Sequence, residues 1–363
     1  MTTSPILQID GAYGEGGGQI IRTSVSLSAL TGQAVDLFNI RARRSKPGLQ
    51  AQHVTAVRAA AALCDAELHG AELGSVRLHF TPRSLTSVRD FTFDIAAARG
   101  GASAGATGLV AQTVLAPLGA LFHEGARVDV LGGTHVPMAP AADYLEAVYA
   151  PVLCRMGFPV QVLSDRSGFF PKGGGALHLT VAPWEDRQPF DAPERGRLKL
   201  LRLFLVTSDL PESVAERGRD ALLKELKGFG VPVRVEMRSL PSNGAGAAVV
   251  LTAECEQGIG GWSSLGERGK PMERVALEAL RDFEKWFATG ASVDTHLADQ
   301  LALPAALVPG TSRWTTAEVS DHLRTVLFVI QQFLPITYEI GPGDNGDATV
   351  TVTGVDLRSF KYR

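Results

Sequence analysis

Apolar positions along this chain recur in two alternating rhythms, one of period two and one of three to four, and the rhythm changes at glycine clusters. Pro5 to Asp10 alternates like a short strand and runs into Gly14-Glu15-Gly16-Gly17-Gly18. Helical spacing follows from Gln19 to Leu30 and stops at Thr31-Gly32. Val35 to Arg43 reads as a strand, Arg41 to Gly48 as a basic turn, and Leu49 to Cys64 as an Ala-rich helix; Val76 to Pro82 is strand-like again.

A second round begins at the glycine turn Gly100 to Gly105. Thr107 to Phe122 is an apolar helix carrying Gln112. Arg127 to Leu131 is a strand ending at Gly132-Gly133-Thr134-His135, Ala141 to Met156 a helix and Val160 to Leu163 a strand. Gly168 to Gly175 is a hairpin-like turn before Ala176 to Val181. A third round comes after a gap: a helix from Val293 to Leu307, a strand from Ser312 to Val319, a helix from Ser320 to Phe333, and closing strands at Ile336 to Ile340 and Ala348 to Val355. The shared order of helix, strand, helix and strands points to repeated units. If the units are equivalent, so are their strand-to-second-helix junctions, which carry Arg41 to His53, Thr134 to Pro137, and His322. Polar residues at three equivalent junctions predict one convergent site.

Between rounds two and three, prolines at 183, 189 and 193 introduce a segment with strands at Leu198 to Val206, Val231 to Met237 and Ala247 to Glu254, and a polar helix at Ser213 to Lys227. It reads as an inserted α/β domain of about one hundred residues. The expected organisation is an α+β chain: two helix-and-sheet units over 1–182, an inserted small domain over 183–276, and a third unit over 277–363.

Composition narrows the function. The 363 residues are 45% hydrophobic and 20% charged, which suits a globular protein with room for two domains. The net charge of −3 confines any nucleic-acid contact to a local basic patch. Cys64, Cys154 and Cys255 are isolated, so buried thiols in a reducing cytoplasm are expected, not disulfides or a thiolate zinc site. No signal-peptide pattern and no apolar run long enough to span a membrane is seen in the sequence.

The glycine turn brings in the chemistry. A Gly-rich turn opening a helix aims free N–H groups and the positive dipole end at an anion, and Arg22 adds a fixed fork for phosphate. Glu15 runs against that charge logic, and a metal ion or a basic neighbour accounts for it. The plainer alternative is a solvated Glu and a surface Arg. Arg41, Arg43, Arg44 and Lys46 place four cations within six residues, which suggests a polyphosphate or an RNA end; a solvated basic loop is the alternative. Strand alternation would put Arg41 and Arg43 on one face and Arg44 on the other. There is no P-loop and no clean dinucleotide fingerprint. Of the eight histidines, His53 can meet a phosphate or cap its helix, and His135 sits on a site loop without a sequence partner. His296 and Asp299 share a helix face, a weak metal pair. His322 opens a helix after Ser320-Asp321, where the dipole favours an anion and a neutral imidazole can act as a nucleophile toward phosphate. These residues alone indicate an anion-binding α/β enzyme and leave the reaction open.

Together they resemble the RNA 3′-terminal phosphate cyclase family. The likeness rests on Asp10-Gly11 with Gly14 to Ser24, on Ile40 to Leu49 with Gln52-His53, on Gly132-Gly133-Thr134, on Gly168-Phe169-Phe170-Pro171 with Gly173-Gly174-Gly175, and on Leu297 to Leu301. The resemblance implies three enolpyruvyl-transferase-like units with a small domain inserted before the last. It implies a ligase that takes ATP and RNA 3′-phosphate ends, passes through a histidine–AMP intermediate, and needs a divalent metal, Mg or Mn. By position, His322 matches the nucleophile and Glu15 the metal holder. Arg22, Arg41, Arg44 and Gln52 match phosphate-meeting or nearby site positions, and Gln112, Pro137, His296, Leu297, Ala298, Asp299 and Gln300 match nucleotide-contacting ones. A cytoplasmic place is expected, with no membrane association, and a homodimer is left open. Two departures stand out: His296 occupies a position often held by Tyr, and Leu323-Arg324-Thr325-Val326 departs from the commoner run after the nucleophile. The competing readings are a non-catalytic RNA-processing or ribosome-biogenesis factor of the same fold, and a sugar-phosphate transferase built from related units.

Overall fold

The computed structural model describes residues 5–343 and 346–356. The expected first and third units extend into 1–4, 344–345 and 357–363, which lie outside the described residues.

Four small four-stranded sheets carry the chain. The first contains β1 (Leu7–Asp10), β2 (Val35–Phe38), β3 (Glu67–His69) and β4 (Leu78–Thr81), with helices α1 (Gly18–Thr31) and α2 (Ala51–Cys64) between strands. The second contains β5 (Asp90–Asp94), β6 (Ala126–Gly132), β7 (Val160–Arg166) and β8 (Gly175–Val181). Its helices are α3 (Ile95–Arg99), α4 (Thr107–Leu121) and a segment made of α5 (Ala142–Tyr144), a π-turn at Leu145–Tyr149 and α6 (Ala150–Arg155). The short strand β9 (Asp191–Ala192) follows. Next come β10 (Leu198–Ser208), α7 (Glu212–Leu226), β11 (Val233–Ser239), β12 (Gly246–Cys255), β13 (Ile259–Leu265) and α8 (Met272–Phe287). The chain ends with α9 (Thr295–Ala306), β14 (Gly310–Thr316), α10 (Asp321–Phe333), β15 (Thr337–Pro342) and β16 (Ala348–Gly354).

The orders β1-β2-β4-β3, β5-β6-β8-β7 and β9-β14-β16-β15 share one design. In each, the first pair is parallel and the other two are antiparallel. The β10–β13 sheet, ordered β11-β10-β12-β13, has the helices α7 and α8 and an apolar core of its own. A larger core joins the other three sheets, where α1 packs against α2, α4 and α10, and α9 against α10. That helix bundle brings distant segments together in the middle of the molecule.

Three details differ from the pattern-based reading. The expected 183–276 segment takes in β9, which pairs with β14, and its 276/277 end falls inside α8, which packs on the β10–β13 sheet. The strand expected through Arg43 ends at Phe38, because Asn39 and Arg41 adopt positive φ and begin a turn, so strand alternation does not govern Arg41, Arg43 and Arg44. The helix expected from Val293 starts at Thr295, where the Asp294 carboxylate caps it by accepting from the N–H groups of His296 and Leu297.

Candidate active site

The glycine turn stays exposed at Tyr13 and Gly14 on one side. It is pressed against α10. Gly14 has φ of +57°, and a Cβ there would collide with Thr325 Oγ1. The Glu15 N–H reaches the same hydroxyl at 3.4 Å, and Thr325 Oγ1 donates to the Asp321 carbonyl at 2.7 Å. At the start of α1, a Cβ on Gly18 would meet His53 Nε2 and an Arg22 Nη atom, so a larger residue there would displace those two side chains. Thus the sequence that reads as a phosphate cradle is also the joint between the first residues of the chain and its last helices.

Glu15 lies at that joint. Its Oε1 is ion-paired with Arg44, whose guanidinium also donates to the Glu15 carbonyl at 3.2 Å. Its Oε2 is buried, lacks a hydrogen-bond partner, and faces His322 Nδ1 at 3.5 Å. His322 stands on the first turn of α10, which Ser320 caps. Burial lowers the pKa of the imidazole, and Arg22, His296 and Arg44 push it further down, against Asp321. The ring is held neutral with a nitrogen lone pair available.

Arg22 is buried on α1 and donates to Gln19 Oε1 at 2.6 Å. Burial and the nearby Arg41 charge pull its pKa down to about 10. Arg41 donates to the Lys46 carbonyl at 3.2 Å, while its buried Nε has no partner. These are cations arranged at a cost, as expected where an anion is to be received.

A cavity of about 350 Å³ opens beside His322. It brings together Arg22, Gln112, Pro137, His296, Asp299, Gln300 and His322, which come from α1, α4, α9, α10 and the loop after β6. A smaller space of about 40 Å³ is bounded by the same Arg22, Gln112, Asp299 and Gln300, with Tyr149 from the π-turn. Gln112 Nε2 and Gln300 Oε1 are buried without partners, one free donor and one free acceptor.

Other predicted residues sit elsewhere. Gln52 Oε1 accepts from the Ala106 N–H at 3.0 Å and ties α2 to the second unit, outside the cavity wall. Leu297 and Ala298 are buried in the main core. His53 caps α2: its Nδ1 accepts from the Gln50 N–H at 3.0 Å, and burial, with Arg22 and Arg41, lowers its pKa well below the usual imidazole range. His135 is also structural. Thr134 Oγ1 accepts from the Gly168 N–H, which leaves its own proton for His135 Nδ1 at 2.9 Å. His135 Nε2 then donates to Asp143 at 2.6 Å, and Arg238 of β11 binds the other Asp143 oxygen at 2.8 Å.

One wall was not legible in the sequence. Gly261, Trp262, Ser263 and Leu265 of β13, with Asp282 of α8, line the cavity. Asp294 fixes that wall by accepting from the Gly261 N–H at 3.0 Å and from the Tyr144 hydroxyl at 3.1 Å, in addition to capping α9. Asp294 lies inside the helix expected from Val293, and nothing in the β13 segment announces its role.

Asp299 carries a testable charge effect. Burial raises its carboxyl pKa to about 7, with Ser320 lowering it and Asp294 raising it. Between the ordinary carboxylate range and that value the folded chain holds a proton that the unfolded chain releases. The group's contribution to stability therefore falls as pH rises through the window from about 4 to 7. Asp299→Asn removes the group, so its melting temperature relative to the wild type will rise between about pH 5 and pH 8, by several degrees at about 2–4 °C per kcal/mol. A difference that stays flat with pH would count against the raised pKa.

Among the described residues, no three His, Cys, Asp or Glu side chains are grouped to hold a metal ion. A lone carboxylate with a buried free oxygen, as at Glu15, nevertheless fits a divalent cation that takes its remaining ligands from phosphates and water. No described helix is long and apolar enough to cross a membrane.

Comparison with known proteins now bears on this arrangement. A sequence model of RNA 3′-terminal phosphate cyclases matches residues 13–340. The chain belongs to the RNA 3′-terminal phosphate cyclase family. A protein of that name from Methylococcus capsulatus is 44% identical over 350 residues, covering 96% of this chain and 97% of the relative. Others from Nostoc punctiforme and Pyrobaculum neutrophilum are 43% and 42% identical, covering 90% and 92% of this chain and 94% of each relative. The mixed α/β fold expected from the sequence agrees with membership in the cyclase family.

Proposed function

We propose that this chain uses ATP to convert an RNA 3′-terminal phosphate into a 2′,3′-cyclic phosphate, through a covalent adenylate on His322. The observation that carries the reading is the His322 imidazole at the N-terminus of α10, with Nδ1 turned to the Glu15 carboxylate beside a cavity lined by the buried Arg22 guanidinium.

In the first step the His322 Nε2 lone pair attacks the α-phosphorus of ATP. The bond to the bridging β-phosphate oxygen breaks and pyrophosphate leaves. The ring keeps its proton on Nδ1, toward Glu15. An oxygen of the RNA 3′-phosphate then attacks the same phosphorus; the N–P bond breaks and its electrons return to the ring. The RNA now ends in a phosphoanhydride to AMP. Finally the neighbouring 2′-hydroxyl oxygen attacks the terminal phosphate and gives its proton to water; the phosphoanhydride P–O bond breaks, the ring closes and AMP leaves. Arg22, Arg41 and Arg44 receive the phosphates, and the α10 dipole favours the same charge. Pro137, His296 and Trp262 supply flat or apolar wall for the base, and Gln112, Asp299 and Gln300 supply polar contacts. A divalent ion, Mg or Mn, would be held by Glu15 with substrate phosphate oxygens and would offset their charge. Cys64, Cys154 and Cys255 form no disulfide, which fits a cytoplasmic protein, although Cys154 is exposed and not buried as expected, and we take the inserted unit to run from β10 through α8.

The deciding experiment mixes ATP with an RNA ending in a 3′-phosphate. Expected are one AMP released per end and a terminus that resists phosphatase. RNA that is bound but unchanged, with no AMP, would favour the non-catalytic reading, and turnover of an enolpyruvyl substrate without covalent nucleotide would favour the transferase. A second measurement concerns Glu15→Ala. The metal concentration for half-maximal adenylylation should rise by about tenfold or more. Stability should change by only about 1 kcal/mol, because the Arg44 pair is partly solvated. Equal loss of folding and activity would remove the metal assignment.

A further inference from the structure

His322 is one residue into a helix whose start is fixed by a single hydroxyl. Ser320 Oγ accepts from the Leu323 N–H at 3.0 Å and donates to Asp299 Oδ1 at 2.6 Å. Both bonds use the same oxygen, so the hydroxyl rotor is set by Asp299 and the lone pair by the helix. Asp299 is nearly buried on α9, and it lines the cavity that His322 lines. Its free side is therefore presented to whatever fills that space. α10 packs on α1 and α9 and buries Leu323 of its first turn in the main core, while the polar ties near His322 include, besides the Ser320 cap, the Thr325 bond to the Asp321 carbonyl and the Glu15 contacts.

We infer that Ser320 is a positioning residue for the nucleophile: through its hydroxyl, the cavity-facing Asp299 holds the first turn of α10 and with it the ring of His322. The inference rests on the proposed role of His322. Its chemistry is that of an N-cap with a second bond. A cap alone needs only an acceptor for the N–H groups. Here the acceptor is also a donor, and its donor bond ends on a residue of the nucleotide pocket. Occupancy of the pocket and placement of the attacking nitrogen are thereby joined by two hydrogen bonds.

The test separates capping from the link. Ser320→Gly preserves most of the stability, because glycine is a tolerated N-cap, but it deletes the hydroxyl. Ser320→Ala deletes both functions, and Ser320→Thr restores both. For each variant, the affinity for ATP is measured by equilibrium binding, and the rate of His322 labelling from α-labelled ATP by single turnover. The expected result is a labelling rate slowed about tenfold or more in Ser320→Gly and Ser320→Ala, with ATP affinity within about twofold of wild type and Ser320→Thr back to within a few-fold. Wild-type labelling in Ser320→Gly, or ATP affinity falling in step with the rate, would overturn the inference. An unlabelled wild type would instead overturn the proposed role of His322, and the two failures are distinct.

Discussion

His322→Ala will carry no covalent nucleotide. Wild-type protein incubated with α-labelled ATP and a divalent metal, then denatured, should retain label that is lost in acid and kept in alkali, as a phosphoramidate is. In the variant the label should fall by at least about a thousandfold, because removing a nucleophile removes the intermediate itself and not merely a contact. Folding should be nearly unaffected. Alanine is well tolerated in a first helical turn, and the Ser320 cap and the Thr325 bond do not involve the imidazole. A folded variant that still labels would relocate the nucleophile, with His296, which lines the same cavity, the first alternative.

Arg22→Met should separate stability from activity in opposite directions. The guanidinium is buried, one of its amines binds Gln19, and burial together with Arg41 holds its pKa down to about 10. A charge kept in place against its own desolvation costs the empty protein on the order of 3 kcal/mol. Methionine fills similar space without that charge, so the variant should melt higher than wild type. Adenylylation should nevertheless fall by about a hundredfold to a thousandfold, since charge-assisted contacts to transferring phosphates contribute about 3–4 kcal/mol. A variant that is both less stable and fully active would show that Arg22 is a structural residue.

The legible parts of this chain are those where chemistry and backbone signal coincide. Glu15, Arg22 and His322 stand in glycine-rich or capped positions whose local sequence announces a helix start, and Glu15 lies 3.5 Å from His322. The bundle helices α1 and α4 are buried nearly all round, so glycine and capping signals at element ends, more than an amphipathic face, make the rhythm readable. What was hidden depended on contacts between segments far apart. Two residues of β9 are too short to show a period, and only pairing with β14 makes them a strand. Trp262 reads as an ordinary aromatic, yet the Asp294 junction turns its strand into a wall of the cavity. Leu297 and Ala298 share a motif with Asp299, but helical geometry sends them to the core while Asp299 and Gln300 face the site. Gln52 likewise follows the basic turn and serves to fasten two units together.

The interrupted third sheet has a consequence for the order in which the molecule comes into being. Asp191 pairs with Arg313, 122 positions later, and the β10–β13 unit is made in between. On the ribosome the first two sheets have all their strands, and the inserted sheet can close on itself, before β14, α10 and the final hairpin emerge. β9 waits for its partner throughout. Glu15 and the arginines are therefore synthesised long before His322, and the proposed site is complete only once α10 has emerged.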